Sequence, residues 1–201
     1  MENIEKKKRK PRFNQRDRRQ EFIKAAEKIF TQKGFEQTTI RDIAKEARAS
    51  TGLLFSYFKN KESLIMEIVQ ERKEESLLAT KKVLSQNKSF EEILTDFYML
   101  QLEKHSKFHE SQKILLSNAI KDPLIAKQWF EILMERMIEP LSAFIQECIE
   151  SRELPKSIDI SATVNLVLAN SYYIGFIRRF IIGIDEKICK KELKFAAAIL
   201  A

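Results

Sequence analysis

Residues 35–64 read FEQTTIRDIAKEARASTGLLFSYFKNKESL, and helix boundaries can be placed along them from residue type alone. Thr38 or Thr39 is suited to open a helix, with Asp42 in its first turn. Ile40, Ile43, Ala44 and Ala47 give that helix one narrow apolar stripe. Ser50 is a good N-cap for a third helix, expected over 51–58. Upstream, Phe22, Ile23, Ala26, Ile29 and Phe30 repeat at helical spacing until Gly34, which can take the positive φ that ends a helix. Three short helices within about 40 residues, the last two joined by a tight turn, predict a helix-turn-helix. Ala44 and Ala47 are small enough for the third helix to cross close above the second. Leu54 and Phe58, four apart, would pin it there. Its other face then presents Thr51, Gly52, Phe55 and Ser56, small or flat side chains suited to a major groove. Lys59 and Lys61 flank that face and can neutralise phosphates.

Charge points the same way. Residues 1–61 carry 17 basic and 8 acidic side chains, a net of +9, against a total of +7. The remaining 140 residues therefore sum to −2. Residues 1–19 alone hold nine basic side chains around Pro11, and predict a flexible arm able to follow DNA phosphates or serve as a solubilising tail. Four Gly in 201 residues disfavour sheet turns, and neither GxGxxG nor GxxxxGK[ST] occurs. Cys148 and Cys189 form no CxxC pair, which suits a reduced, cytoplasmic chain without cofactor. Residues 160–177 are uncharged but contain Ser161, Thr163, Asn165, Asn170 and Ser171, and read as a buried helix of a soluble bundle rather than a membrane span.

Residues 35–64 resemble the tetracycline-repressor-like (TetR) family of bacterial transcription regulators. The shared positions are Gly34-Phe35, Thr38-Thr39, Ile43-Ala44, Ala47, Ser50-x-Gly52, Leu54, Tyr57-Phe58 and Lys61-Glu62-x-Leu64. Phe55 departs from the family, which commonly has Tyr there. The resemblance implies a ligand-responsive DNA-binding regulator, most often a repressor, acting as a homodimer on a palindromic operator. By the same resemblance Thr39, Tyr57 and Lys61 would touch phosphates, and Arg41, Thr51, Gly52 and Ser56 would face base edges. Plainer readings remain beside these: Thr39 as a helix cap, Arg41 as a solvated charge, Gly52 as a packing residue.

Helical periodicity continues to the C-terminus, so the expected fold is all-α with about nine helices. The arm covers 1–19, the helix-turn-helix domain 20–61, and a ligand-binding and dimerisation bundle 62–201. A helix is expected over 63–84. Ser89 with Glu92 forms a capping box, a weaker segment covers 108–120, and Pro140 should kink a long helix from Pro123. The resemblance implies dimerisation through the last two helices, and both carry more apolar residues than one buried face needs. It also implies an effector pocket. Phe97, Tyr98, Trp129, Phe130, Tyr172, Tyr173 and Phe176 are candidate lining residues, although aromatics are more often ordinary core. The few charges nearby favour a small hydrophobic effector. His105 and His109 have the i, i+4 spacing of a metal pair, but their charged flanks favour a loop or an exposed face, and no metal is expected. No nucleophile–base pair is recognisable, so enzyme activity is not expected. The competing reading, a basic adaptor for anionic membranes or a protein partner, does not call for Thr39, Gly52, Tyr57 and Lys61 in that order.

Overall fold

Caps written into the sequence set the helix boundaries. The computed structural model describes residues 15–201, with side chains from Asp17 onward, and among these residues it contains helices and no strand. The chain divides into two compact units, the first ending at Leu64 and the second beginning at Ile65.

The first unit holds α1 (Gln15–Lys33), α2 (Ile40–Glu46), α3 (Thr51–Phe55) and the start of α4 (Lys61–Glu71). Gly34 takes φ +78° and its N–H returns to the Phe30 carbonyl, closing α1. Thr39 caps α2 with a complete capping box, its Oγ1 accepting from the Asp42 N–H while the Asp42 carboxylate accepts from the Thr39 N–H. Ser50 Oγ accepts from the Leu53 N–H and opens α3. Thr38, the other candidate opener, is buried and donates to the Gly34 carbonyl instead. The core of this unit is aromatic. Phe22 packs on Tyr57 and Phe58, and Phe30 on Phe35, with ring centroids 5.0–6.3 Å apart.

Two expectations about this unit are corrected. The arm does not reach Arg19, because α1 begins at Gln15. Arg18 pairs with Glu21, and the Arg19 guanidinium lies 4.7 Å from the Phe58 ring centroid, contacts that order these residues as helix. The rest of the arm, residues 1–14, lies outside the described residues. The third helix also stops at Phe55 rather than Phe58. The chain turns through Ser56 and Tyr57 so that Phe58 can be buried.

The second unit holds the rest of α4, α5 (Lys73–Leu84), α6 (Phe90–Lys121), α7 (123–150), α8 (Ile160–Ile182) and α9 (Glu186–Leu200). The helix expected over 63–84 is interrupted at Arg72. The 32-residue α6 is the spine. Its Phe90, Ile93, Leu94, Phe97, Tyr98 and Leu102 join Leu141, Phe144 and Ile145 of α7, Val164 and Val167 of α8, and Leu193 and Ala197 of α9 in one core. Ser89 and Glu92 form the expected capping box, and the Glu153 carboxylate accepts from the Phe90 N–H. Residues 108–120 are part of α6, beyond a kink where Phe108 has φ −128° and ψ 16°.

Helix α7 is deformed ahead of Pro140, where Met134–Ile138 widens into a π-helical segment. A proline lacks the N–H that the carbonyl four residues back, on Arg136, would receive, and its ring crowds that carbonyl. The wide turn relieves the conflict upstream of the proline. A second π segment, Tyr173–Ile182, completes α8, which ends at Gly183 in the left-handed conformation. By length and composition α8 could cross a membrane, and it is buried along one stripe only. Val164, Val167, Ser171, Gly175 and Phe176 form one buried stripe, while Leu166, Tyr173, Ile181 and Ile182 stay exposed. Both cysteines are free and buried.

Replacing Ser89 with Ala removes one half of the α6 capping box. We expect a loss of about 1 kcal/mol in urea denaturation, the usual cost of an N-cap. An unchanged midpoint would mean that Glu153 alone secures this helix end.

Candidate nucleic-acid interface and ligand cavity

The head presents one exposed surface of small groups. Thr39, Arg41, Ser50, Thr51, Gly52, Phe55 and Ser56 are all exposed, the first five at or near the N-terminal ends of α2 and α3 and the last two at the C-terminal end of α3, whereas Leu54 on the opposite side of α3 is fully buried. A Cβ added at Gly52 would meet nothing within 4 Å, and its φ is not positive. Neither backbone geometry nor packing within the chain therefore requires glycine there. The Ser56 hydroxyl donates to the Leu53 carbonyl. Phe55 is 54% exposed, an aromatic ring left in solvent on a five-residue helix.

Tyr57 and Lys61 are placed differently. Tyr57 is half-buried, its ring 5.4 Å from that of Phe22. The Lys61 ammonium donates to the Phe35 carbonyl at 2.9 Å and lies 4.5 Å from the Phe35 ring centroid. Lys61 is thus tied into the head, with hydrogens to spare on the same ammonium. The Asp42 carboxyl is held far below the usual carboxylate range, first by Lys33 and then by Thr39, and stays ionised at the start of α2.

A cavity of about 370 Å³ lies in the second unit. Leu100, Leu115, Trp129, Leu133, Met137 and Leu168 give it apolar walls, and Gln101, Lys104, His105, Gln112, Arg72 and Arg136 line it with polar groups. Among the seven aromatics expected there, only Trp129 and Tyr172 line it. Phe97 and Tyr98 are fully buried in the main core, where they supply the α6 contact with the other helices. Phe176 is also fully buried and stacks behind Tyr172 at 4.9 Å. Phe130 and Tyr173 face outward and are each 55% exposed. Aromatic content marks the right helices but cannot say which face of each looks inward.

His105 corrects the expectation of a loop or exposed face. It is buried, its Nδ1 lies 2.8 Å from Gln112 Oε1, and its ring packs on Tyr172 and Phe176. Gly175 passes so close that an added Cβ would stand 3.2 Å from the imidazole. Burial, opposed by the Gln112 hydrogen bond and aided by Arg136 and Lys104, lowers the His105 pKa from 6.5 to about 4. Burial likewise lowers Lys104 to about 8 and pulls the Arg136 guanidinium below its usual range. No group of three or more metal-ligating side chains occurs among the described residues. One pattern did mark the polar wall. Gln101 and His105 continue the helical stripe of Leu94, Phe97 and Tyr98, so polar residues stand on a face that is otherwise core.

The three-helix head, with its short exposed third helix, is a helix-turn-helix, and an all-helical unit with a partly polar cavity follows it. Residues 22–68 match the family model of the bacterial regulatory proteins of the tetR family, so the likeness to that family lies in the head. The chain is 45% identical to the HTH-type transcriptional regulator HbdR of Aromatoleum sp. (strain CIB) over 49 residues, 24% of this chain and 21% of that protein. Likeness of fold extends further. Salmonella enterica GusR superposes with a TM-score of 0.75 at 18% identity, covering 94% of this chain and 97% of that one. Thermus thermophilus FadR, a TetR-family transcriptional repressor solved with lauroyl-CoA, gives 0.69 at 19% identity, covering 90% and 92%.

The buried imidazole makes stability depend on pH. The folded chain refuses a proton that the unfolded chain accepts below pH 6.5. Stability is therefore expected to be level above about pH 6.5 and to fall as pH drops towards about 4, with a total near 3 kcal/mol. Urea denaturation at about pH 7.5 and about pH 5 reads this, and His105→Gln should remove that part of the slope. Equal slopes in the two proteins would place the titration elsewhere.

Proposed function

We propose that this chain is a ligand-responsive regulator that binds a palindromic operator as a homodimer, represses transcription, and is released by a small apolar effector. The observation that carries the DNA-binding part is the exposed Gly52. Glycine costs a helix about 0.5–1 kcal/mol relative to alanine, and neither packing nor φ within this chain asks for it. A nucleic-acid backbone or base edge at van der Waals distance gives it a reason. On this reading Arg41, Thr51 and Ser56 reach base edges, with Ser50 capping α3 and Phe55 offering apolar contact to a thymine methyl. Thr39, Tyr57 and the free hydrogens of Lys61 contact phosphates.

The dimer is supported by exposed apolar side chains on the last two helices, Leu166 and Tyr173 on α8 and Phe195 and Ile199 on α9. A two-fold pair of heads would read two half-sites about one helical turn apart. An apolar effector is supported by the cavity walls, and by the lauroyl chain carried by the ligand of Thermus thermophilus FadR. Coupling has a covalent route. Val69 and Arg72, which line the cavity, lie on and just after α4, the helix that begins in the head at Lys61. Arg72 also lies over the ring of Phe108 at the kink of α6, so an effector touching either residue bears on that junction.

Selection from a random duplex library, followed by titration of Gly52→Ala and Arg41→Ala, tests the reading. Gly52→Ala should keep or slightly raise thermal stability yet weaken operator binding at least about tenfold, a cost of the order of one good contact. Arg41→Ala should lose about 1–3 kcal/mol at one operator position. Failure of the library to yield any sequence bound more tightly than random DNA at the same salt would sink the proposal.

A further inference from the structure

The cavity is not uniformly apolar, and the kind of polarity it holds is specific. Arg136 stands on the wide π turn of α7 and lines the cavity wall. It makes no hydrogen bond or ion pair with any described residue, and its Nε is buried without a partner. The charged groups that it acts on are Lys104 and His105, and it lowers the pKa of both. Arg136 is half-buried with its Nε shut off from solvent, and proteins ordinarily pair a charge that loses water in this way. Around it stand further unsatisfied groups on the same wall. Gln101 is 2% exposed with its amide nitrogen unpartnered, His105 is 6% exposed with Nε2 unpartnered, and the Tyr172 hydroxyl lacks a partner. Gln101 Nε2, Arg136 Nε and the Tyr172 hydroxyl can all donate, while His105 Nε2, whose Nδ1 faces the Gln112 amide oxygen, is the one acceptor among them.

We infer that the cavity binds an apolar monocarboxylic acid, whose carboxylate takes Arg136 as its counter-ion and Gln101 and Tyr172 as hydrogen-bond donors. The inference rests on the effector reading proposed above and names the chemistry at one end of that effector. Charge count sets the class. Arg72, Lys104, Lys107 and Arg136 line the cavity beside Glu75 and Glu103: Lys104 is bound to Ser76 and opposed by both glutamates, Arg72 lies beside Glu75, and Lys107 is exposed to solvent, so Arg136 is the cation that neither glutamate offsets. A phosphate ester would bring a second negative charge towards those glutamates. An alcohol or a hydrocarbon would leave Arg136 as it is. A thioester would satisfy the Gln101 amide but not the guanidinium. The side chains of Leu100, Leu133, Met137 and Leu168 take the body of the acid.

The full chain is titrated by calorimetry and thermal shift with decanoate, decan-1-ol and decanoyl-CoA, as the unaltered protein and as Arg136→Met and Arg136→Lys. Decanoate should bind the unaltered protein at least about tenfold more tightly than decan-1-ol, the usual worth of one charge-assisted hydrogen-bond pair. Arg136→Met should abolish that preference, leave decan-1-ol binding intact, and raise the melting temperature of the ligand-free protein, since an unpaired charge has been removed. Arg136→Lys should keep part of the preference. Equal binding of the acid and the alcohol, or an acid preference unchanged by Arg136→Met, would overturn the inference and leave the apolar effector standing. Tighter binding of decanoyl-CoA that is indifferent to Arg136→Met would do the same. A Met variant that unfolds would also overturn it, because Arg136 would then be a stabilising residue. If none of the three probes binds the unaltered protein, the effector reading fails along with it.

Discussion

One long helix governs the second unit. At 32 residues, kinked at Phe108, α6 packs against α5, α7, α8 and α9 in turn. Its first half carries an apolar stripe from Phe90 to Leu102, shared with α7, α8 and α9. Beyond Leu102 the stripe fails, because Gln101 and His105 stand where Leu or Phe would continue it. A polar residue on a buried face must find a partner or leave a gap. His105 finds Gln112 one side and nothing on the other, and the helix kinks three residues later at Phe108. The cavity is where this interrupted stripe prevents the bundle from closing.

The head obeys a different constraint. A helix of five residues has no stability of its own, since nucleation costs more than so few hydrogen bonds return. Helix α3 persists because Leu54 is fully buried, Phe58 is anchored beyond the turn, and Ser50 satisfies one of its free N–H groups. All of its stabilising contacts lie on one side or at its ends. The outward side is therefore released from any structural duty, which is why Thr51, Gly52 and Ser56 can be chosen for what they meet outside the chain. Lys61 shows the converse case. Its ammonium is drawn to the Phe35 carbonyl and ring, so the charge helps hold the head while remaining able to donate further.

Legibility in the sequence follows the range of the forces involved. Caps act over two or three residues, and Gly34, Thr39, Ser50, Ser89, Asp122 and Gly183 all end or begin helices where their types say they should. Periodicity acts over one helix and is enough to give the all-α class and the apolar surplus of α8 and α9. The cavity depends on which faces of α5, α6, α7 and α8 converge, and no local pattern carries that information. Phe97 and Trp129 are equally plausible as lining residues until the helices are assembled, and only Trp129 is one. Arg136 was harder still. Between Glu135 and Glu139 it reads as one more charge on a solvated face. In the structure it stands on the wide turn ahead of Pro140 and lines the cavity.

That turn joins two features that would otherwise be separate oddities. A π segment inserts an extra residue per turn and shifts every side chain after it around the helix axis, a cost usually retained where the displaced residue has work to do. Here a π turn in α7 carries Arg136, whose Nε is buried without a partner, and a second π segment begins in α8 directly after Tyr172. A sequence selected for stability alone would put Leu or Met at 136 and keep α7 regular, at no loss to the core described by Leu141, Phe144 and Ile145. An unpaired cation and unsatisfied polar groups lining one cavity are better explained by a ligand that satisfies them than by independent imperfections.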